Sequence, residues 1–271
     1  MKPSLDVRVW RDGDVPGLEV SQVLSSTHAF PRHAHEHYAI GLMELGGAYC
    51  LEAGRDDCFV AAGEIALINP GQVHSGIPPC GVRATYRMLN VDAQWMLRLA
   101  QDLGREGYPV FTRWVVGASR ARDMLLRLTS LVAEGGELLA KESAMVAAFS
   151  LLMAGHAAFR PSLPGPGGEP SAVRRVKEHL HARLDAKVSL EELAAETGLS
   201  RYHLLRVFKA STGMSPYAYH LQLRVEHARR LLLRGLPFAQ AASEAGFSDQ
   251  SHFSNTFRHF FGMTPGQYLA R

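Results

Sequence analysis

Between residues 5 and 92 the apolar positions come in short runs broken by Gly, Asp and Pro, whereas from residue 189 onward they recur every three or four positions. Strands repeat every second residue and helices every 3.6, so the pattern predicts a strand-rich beginning and a helical end. The runs Tyr38–Leu45, 48–52, 57–61 and 65–69, rich in Val, Ile, Tyr and Phe, read as strands of a small barrel or sandwich. Two helical segments follow them. Residues 119–133 place Met124, Leu125, Leu128 and Leu131/Val132 on one face, and residues 137–159 do so with Leu138, Met145, Phe149, Leu152 and Met153. Such a pair serves equally well as core or as a dimer surface. Leu190–Thr197, 201–211, 221–234, 238–245 and a segment from Ser248 to about Phe261 read as helices of the last part.

The two parts are separated by RPSLPGPGGEP at residues 160–170, in which seven of eleven residues are Pro or Gly. No helix or central strand tolerates that density of prolines. The expected organisation is a strand-rich domain at 1–160, a linker at 161–170 and a helical domain at 171–271, an α+β chain overall. Charge follows the same division. Residues 171–271 hold 14 of the 29 Lys and Arg but 8 of the 26 Asp and Glu, a basic module on a slightly acidic body. The start of the chain has no apolar run of a signal peptide. The longest apolar stretch, 144–159, is interrupted by Ser150 and His156, short of the ~18 residues a membrane span needs. Three cysteines without a CxxC pair argue against a disulfide framework or a cysteine zinc site. A cytoplasmic, non-membrane protein is expected.

An internal repeat gives the last part its meaning. Ala194 matches Ala242, Glu196 matches Glu244 and Gly198 matches Gly246, each 48 residues apart. Phe208 matches Phe257, Gly213 matches Gly262, Pro216 matches Pro265 and Tyr219 matches Tyr268, each 49 apart, so one residue is inserted early in the second helix of the second copy. Each copy has the parts of a helix-turn-helix. In the first, Ser189 is placed to cap a helix with Glu192 completing a capping box, Gly198 turns the chain, Leu199 plugs the core and Ser200 caps the next helix. Gly246, Phe247 and Ser248 take the same parts in the second.

Periodicity then separates inside from outside. Leu204, Val207 and Phe208 face inward in the first copy, leaving Tyr202, His203, Arg206 and Lys209 outside. Phe253, Thr256, Phe257 and Phe260 face inward in the second, leaving Gln250, Ser251, His252, Ser254, Asn255 and Arg258. Amide, hydroxyl and guanidinium groups on an exposed helix match the donor and acceptor edges of the DNA major groove. The stretches SRYHLLRVFKASTGMSPYAYHLQLRVEHARRLL and FSDQSHFSNTFRHFFGMTPGQY resemble the AraC/XylS family of bacterial transcription regulators, nearly continuously over residues 171–271. That resemblance implies two recognition helices in successive major grooves, with base contacts at Tyr202, Arg206, Gln250, Ser251, His252 and Asn255. Leu205 stands where the family often has a polar residue.

The segment HAFPRHAHEHYAIGLMELGGAYCLEAGRDDCFVAAGEIALINPGQVHSG resembles the cupin-type effector domain of the same family. His33 and His35 form an HxH pair, and NPGQVH contains Gly71 and His74. In metal-binding cupins such histidines converge with a glutamate, which here is replaced near Ala39; His37 and Glu36 are the substitutes at hand. Three readings of His28, His33, His35, His37 and His74 stand: a divalent metal on His33, His35 and His74, hydrogen bonds to an organic effector, or structure alone. Tyr38, Glu44 and Asn69 are polar candidates better suited to packing and turns. The FPRHxH…INPGxVH pattern resembles a subgroup associated with amino-acid export, which implies an amino acid or amine as effector. The resulting expectation is a ligand-responsive regulator, a homodimer on double-stranded DNA, with RNA polymerase as a partner if it activates. A cupin oxygenase with a DNA-binding tail and a ligand-independent architectural DNA binder are the competing functions.

Overall fold

The computed structural model describes residues 6–50, 58–161, 170–186 and 188–270. The expected linker, apart from its ends, and parts of the expected strands at 48–52 and 57–61 lie outside the described residues. The chain forms two compact units, Met1–Ala29 with Ala34–Gly165, and Pro166–Arg271 with Phe30–His33.

The strands of the N-terminal part are β1 (Asp6–Arg11), β2 (Leu18–Ser26), β3 (Phe30–His33), β4 (Tyr38–Leu45), β5 (Gly47–Cys50), β6 (Cys58–Ala61), β7 (Ile65–Ile68), β8 (His74–Gly76) and β9 (Ala84–Val91), and all but β3 belong to the first unit. Helix α1 (Ala93–Asp102) follows, then β10 (Tyr108–Phe111), β11 (Val115–Val116), α2 (Arg120–Ala133), α3 (Leu138–His156) and β12 (Ala157–Arg160). Six strands pair antiparallel in the order β1-β2-β9-β4-β7-β11. Strand β4 lies near the middle of this sheet, and its first six residues are all buried. Successive side chains of a strand point to opposite faces, so one strand serves two cores. Tyr38, Ile40 and Leu42 join Leu125, Leu128, Phe149 and Leu152 of the helices, while Met43 joins Ala48, Cys50 and Val60.

Helix α2 starts where Ser119 predicts it, with the Ser119 hydroxyl accepting from the Arg122 N–H. Helix α3 ends at His156, three residues earlier than the apolar pattern predicts, because residues 157–160 leave it to pair with β10. By length and hydropathy alone α3 suffices to cross a membrane. Its buried face, including Ala144, Met145, Phe149 and Leu152, is nevertheless part of the unit's core. Lys141 on the same face is 3% exposed and is paired with Asp12 and Asp14. That cation holds the Asp12 carboxyl below its ordinary pKa.

The second unit comprises α4 (Ser171–Ala182), α5 (Leu190–Thr197), α6 (Arg201–Thr212), α7 (Pro216–Leu233), α8 (Phe238–Glu244), α9 (Gln250–Phe261) and α10 (Pro265–Leu269). The first core is shared by Val173, Val176 and Leu180 of α4 with Leu193, Ala194, Leu204 and Phe208. The second copy is filled by an aromatic chain, Phe247 to Phe253 to Phe257 to Tyr268, with neighbouring ring centroids 5.1, 5.7 and 5.5 Å apart. Helix α7 begins five residues before the expected position because Ser215 caps it and Pro216 fits its first turn. Arg224 on α7 donates to the carbonyls of Leu184 (2.6 Å) and Ala186 (2.7 Å), fixing α7 to the loop after α4.

Candidate DNA interface and effector site

Each recognition helix is set by its cap and its core. Gly198 ends α5 at φ 69°, a conformation that costs other residues a Cβ clash, and the Ser200 hydroxyl accepts from the His203 N–H to start α6. The second copy departs from expectation here. Asp249, not Ser248, caps α9 by accepting from the His252 N–H at 2.7 Å, and the Ser248 hydroxyl donates to Asp249. Ser200 and Asp249 are 49 residues apart, so the inserted residue lies in the turn before α9 and both recognition helices keep twelve residues. Gly246 is doubly required: its φ is 78°, and a Cβ there would lie 2.6 Å from the Leu184 carbonyl oxygen. The capping-box expectation at Glu192 is half met, since Ser189 accepts from the Glu192 N–H while the Glu192 carboxylate binds Arg183 and His179.

On α6, Tyr202, His203, Arg206 and Lys209 are exposed, Tyr202 at 77%, while Leu204 and Phe208 are fully buried. Arg201 is exposed beside them, a cation in the first helical turn that the sequence reading passed over. On α9, Gln250, Ser251, His252, Asn255 and Arg258 are exposed and Ser254 is half-buried, opposite the buried Phe253, Thr256, Phe257 and Phe260. Thr256 is inward because its hydroxyl donates to the His252 carbonyl at 2.8 Å. The α6 face is cationic and aromatic, whereas the α9 face consists mainly of amides and hydroxyls, the groups that pair with base edges.

Among the N-terminal strands the histidines divide. In the first unit the His35 and His74 rings meet edge to face, with centroids 4.8 Å apart. His37 stacks on His35 with centroids 4.0 Å apart, and Glu36 is exposed, so neither takes the place of the missing glutamate. His28 is held at the backbone, its N–H donating to the Ser26 hydroxyl. Nδ1 of His33 faces the Pro31 carbonyl (2.8 Å), Nδ1 of His35 the His37 carbonyl (2.8 Å) and Nδ1 of His74 the Gln72 carbonyl (3.0 Å). A carbonyl only accepts, so each Nδ1 carries a proton. Burial lowers the His33 pKa, which keeps that ring neutral.

Tyr38, Glu44 and Asn69 have structural partners. Tyr38 donates to the Pro109 carbonyl (2.7 Å) and Glu44 pairs with Arg87 (2.5 Å). The Asn69 side chain donates to the Phe111 carbonyl (2.9 Å) and accepts from the Phe111 N–H (2.8 Å). Gln72 completes the support of His74: its side-chain oxygen accepts from the Asn69 N–H and Nδ2 while its carbonyl orients the imidazole. No sequence periodicity marks Gln72, because its role depends on a turn.

Comparisons with known proteins agree with both units. Residues 15–149 match the AraC-like ligand binding domain and residues 193–271 a helix-turn-helix domain. An uncharacterized HTH-type transcriptional regulator of Bacillus subtilis, YbfI, is 32% identical over 226 residues, covering 82% of this chain and 81% of that protein. The MmsAB operon regulatory protein of Pseudomonas aeruginosa is 37% identical over 97 residues, 35% of this chain and 30% of that one. The structure of ToxT from Vibrio cholerae with a bound unsaturated fatty acid has the same fold. Its TM-score is 0.57 at 13% identity, and the match covers 96% of this chain and 97% of that one. With an AraC-type ligand-binding domain ahead of a duplicated helix-turn-helix, and a regulator aligned over most of both chains, this chain belongs to the AraC family of transcription regulators.

Proposed function

We propose that the chain works as a homodimer without catalytic activity of its own, activating transcription from double-stranded DNA through RNA polymerase in the cytoplasm. A small molecule, an amino acid or amine, enters the cupin-like first unit near His33, His35 and His74 and shifts the dimer between two arrangements of its DNA-binding parts. A ligand moves such an equilibrium only by its difference in affinity for the two states. The expected division at 1–160, 161–170 and 171–271 supplies the modularity. The observation that carries the proposal is the pair of capped twelve-residue helices, α6 and α9, each with a buried apolar face and an exposed polar one. Tyr202, Arg206, Gln250, Ser251, His252 and Asn255 read bases, while Lys209, Arg258 and His203 contact phosphate.

The dimer surface is the outward face of α3. Leu152, a candidate for that contact from its apolar pattern, is fully buried and belongs to the core. Leu139 (74% exposed) and Val146 (46%) lie seven residues apart on one exposed face. The decisive experiment is footprinting of the full chain upstream of its own and neighbouring genes, with and without amino acids and amines, beside sedimentation of wild type and Val146→Asp. Two adjacent protected major grooves, ligand-dependent protection and a monomeric Val146→Asp variant are expected. Protection that ignores every small molecule, or a wild-type monomer at operator-saturating concentration, defeats the effector or the dimer part respectively.

A further inference from the structure

We propose that Cys50 and Cys58 form a reversible dithiol–disulfide site, closed by exchange with a small-molecule disulfide such as oxidised glutathione. Neither thiol has a part in the DNA-binding or effector reading above. The first support is register. Cys50 of β5 stands directly opposite Cys58 of β6 in an antiparallel pair, and both belong to the first unit. The Tyr49 N–H and carbonyl are both committed to Ile77 (2.9 and 3.0 Å), and the Ala62 N–H donates to the Gly46 carbonyl (3.1 Å). Bonded and non-bonded pairs alternate along an antiparallel ladder, so Cys50 and Cys58 are a hydrogen-bonded pair with Cα atoms about 5.5 Å apart. Disulfides span ~4.4–6.8 Å between Cα atoms, most often about 5.5–6 Å.

The second support is a shared face, since residues directly opposite on paired strands point to the same side. Cys50 packs with Met43, Ala48, Val60 and Ala66, whereas Tyr49 and Phe59 carry their rings, 5.1 Å apart, on the other side. The third is a division of labour. Cys50 is 8% exposed and Cys58 is half-buried, so Cys58 is the thiol a small molecule meets first. Burial pushes the Cys50 thiol up to about 12, and burial with the nearby Glu64 carboxylate raises that of Cys58. Both rest as protonated thiols near neutrality, which makes the exchange slow.

The Cys58 thiolate attacks one sulfur of the small disulfide, breaking its S–S bond and releasing one small thiol. Cys50 then gives up its proton and attacks Cys58 Sγ, forming the Cys50–Cys58 bond and expelling the second small thiol. Two protein thiols are oxidised, and one small disulfide is reduced to two thiols that take up both protons. Opposite Cβ atoms stand ~4.5–5.5 Å apart and a relaxed disulfide wants ~3.5–4.5 Å, so the bond closes only by drawing β5 and β6 together. Strained bonds are the readily reduced ones, which makes this a responsive site and not a permanent staple.

The test equilibrates the full chain, under mildly alkaline conditions, with defined ratios of reduced and oxidised glutathione. It is then quenched with acid, alkylated and read by mass spectrometry. Wild type is expected to lose two of its three free thiols to a Cys50–Cys58 bond, about 2 Da lighter, which dithiothreitol reopens. Cys80→Ser should form the same bond at the same ratio, and Cys58→Ser should form none. The folded chain should need a ratio at least ~10-fold less oxidising than the chain in urea. Wild type that only acquires glutathione on single cysteines, at every ratio, overturns the site whether or not any variant folds. Equal bonding of Cys80, or closure as ready in urea as in the folded chain, overturns it too, because neither needs the strand register.

Discussion

Replacing Asn69 by leucine isolates the support of the histidine loop. Asn69 is 6% exposed and its side chain satisfies both main-chain groups of Phe111, itself 4% exposed. Leucine approximates the shape but leaves a buried N–H and a buried carbonyl without their partner. Each unsatisfied group costs about 1–3 kcal/mol, so the unit loses ~2–6 kcal/mol. For a unit of this size that lowers its Tm by on the order of 10 °C. Gln72→Ala is the control. Gln72 is half-buried, and water replaces its oxygen at the Asn69 N–H, so its loss is that of one ordinary hydrogen bond, ~1 kcal/mol. The assay is thermal unfolding of the full chain by circular dichroism, read beside operator binding to verify that the second unit stays folded. An Asn69→Leu variant melting within about 2 °C of wild type, or no more affected than Gln72→Ala, refutes the claim that the Phe111 bonds hold this loop.

Three further outcomes are expected. Arg206→Ala should cost ~1–3 kcal/mol at one or two base pairs, whereas Lys209→Ala should weaken all sequences evenly and reduce the salt slope by about one; binding assays across operator variants and salt would sink the assignment if Arg206→Ala left base preference unchanged. Phe257→Ala, in the middle of the aromatic chain and fully buried, should destabilise the second unit by ~3–5 kcal/mol and abolish operator binding, and a variant with wild-type urea midpoint contradicts the packing. Asp12 has its folded pKa depressed by Lys141, so its contribution is present above its ordinary pKa of about 3.9 and disappears as pH falls through the lower folded value; urea midpoints should therefore drop more steeply from pH 5 to pH 3 in wild type than in Asp12→Asn, and parallel curves count against the pair.

The second unit was legible because its information is local. A helix period, a cap and a glycine at a left-handed turn lie within a few residues of one another, and duplication printed them twice, so α5, α6, α8 and α9 fall within a residue or two of expectation. Local signals failed where a neighbour in sequence was not the partner in space. Asp249 displaced Ser248 as cap because its carboxylate reaches the His252 N–H, and Glu192 left its box for Arg183. Helix α4 carries no repeat and went unread, although its Val173, Val176 and Leu180 complete the first core. In the first unit the strand Tyr38–Leu45 was plain from its composition, but its pairing with β7 and β9 joins residues far apart in the chain. The same limit governs the site. Spacing made His33, His35 and His74 candidates, while only folding brought the His35 and His74 rings edge to face at 4.8 Å and aligned a carbonyl behind each. Sequence alone determined which segments are amphipathic and which side chains carry chemistry, since those properties belong to single residues and their near neighbours. Tertiary structure decided which apolar face is core, as Leu152 shows against Val146, and which imidazoles converge, because burial and convergence are set by partners the chain reaches only after it has closed on itself.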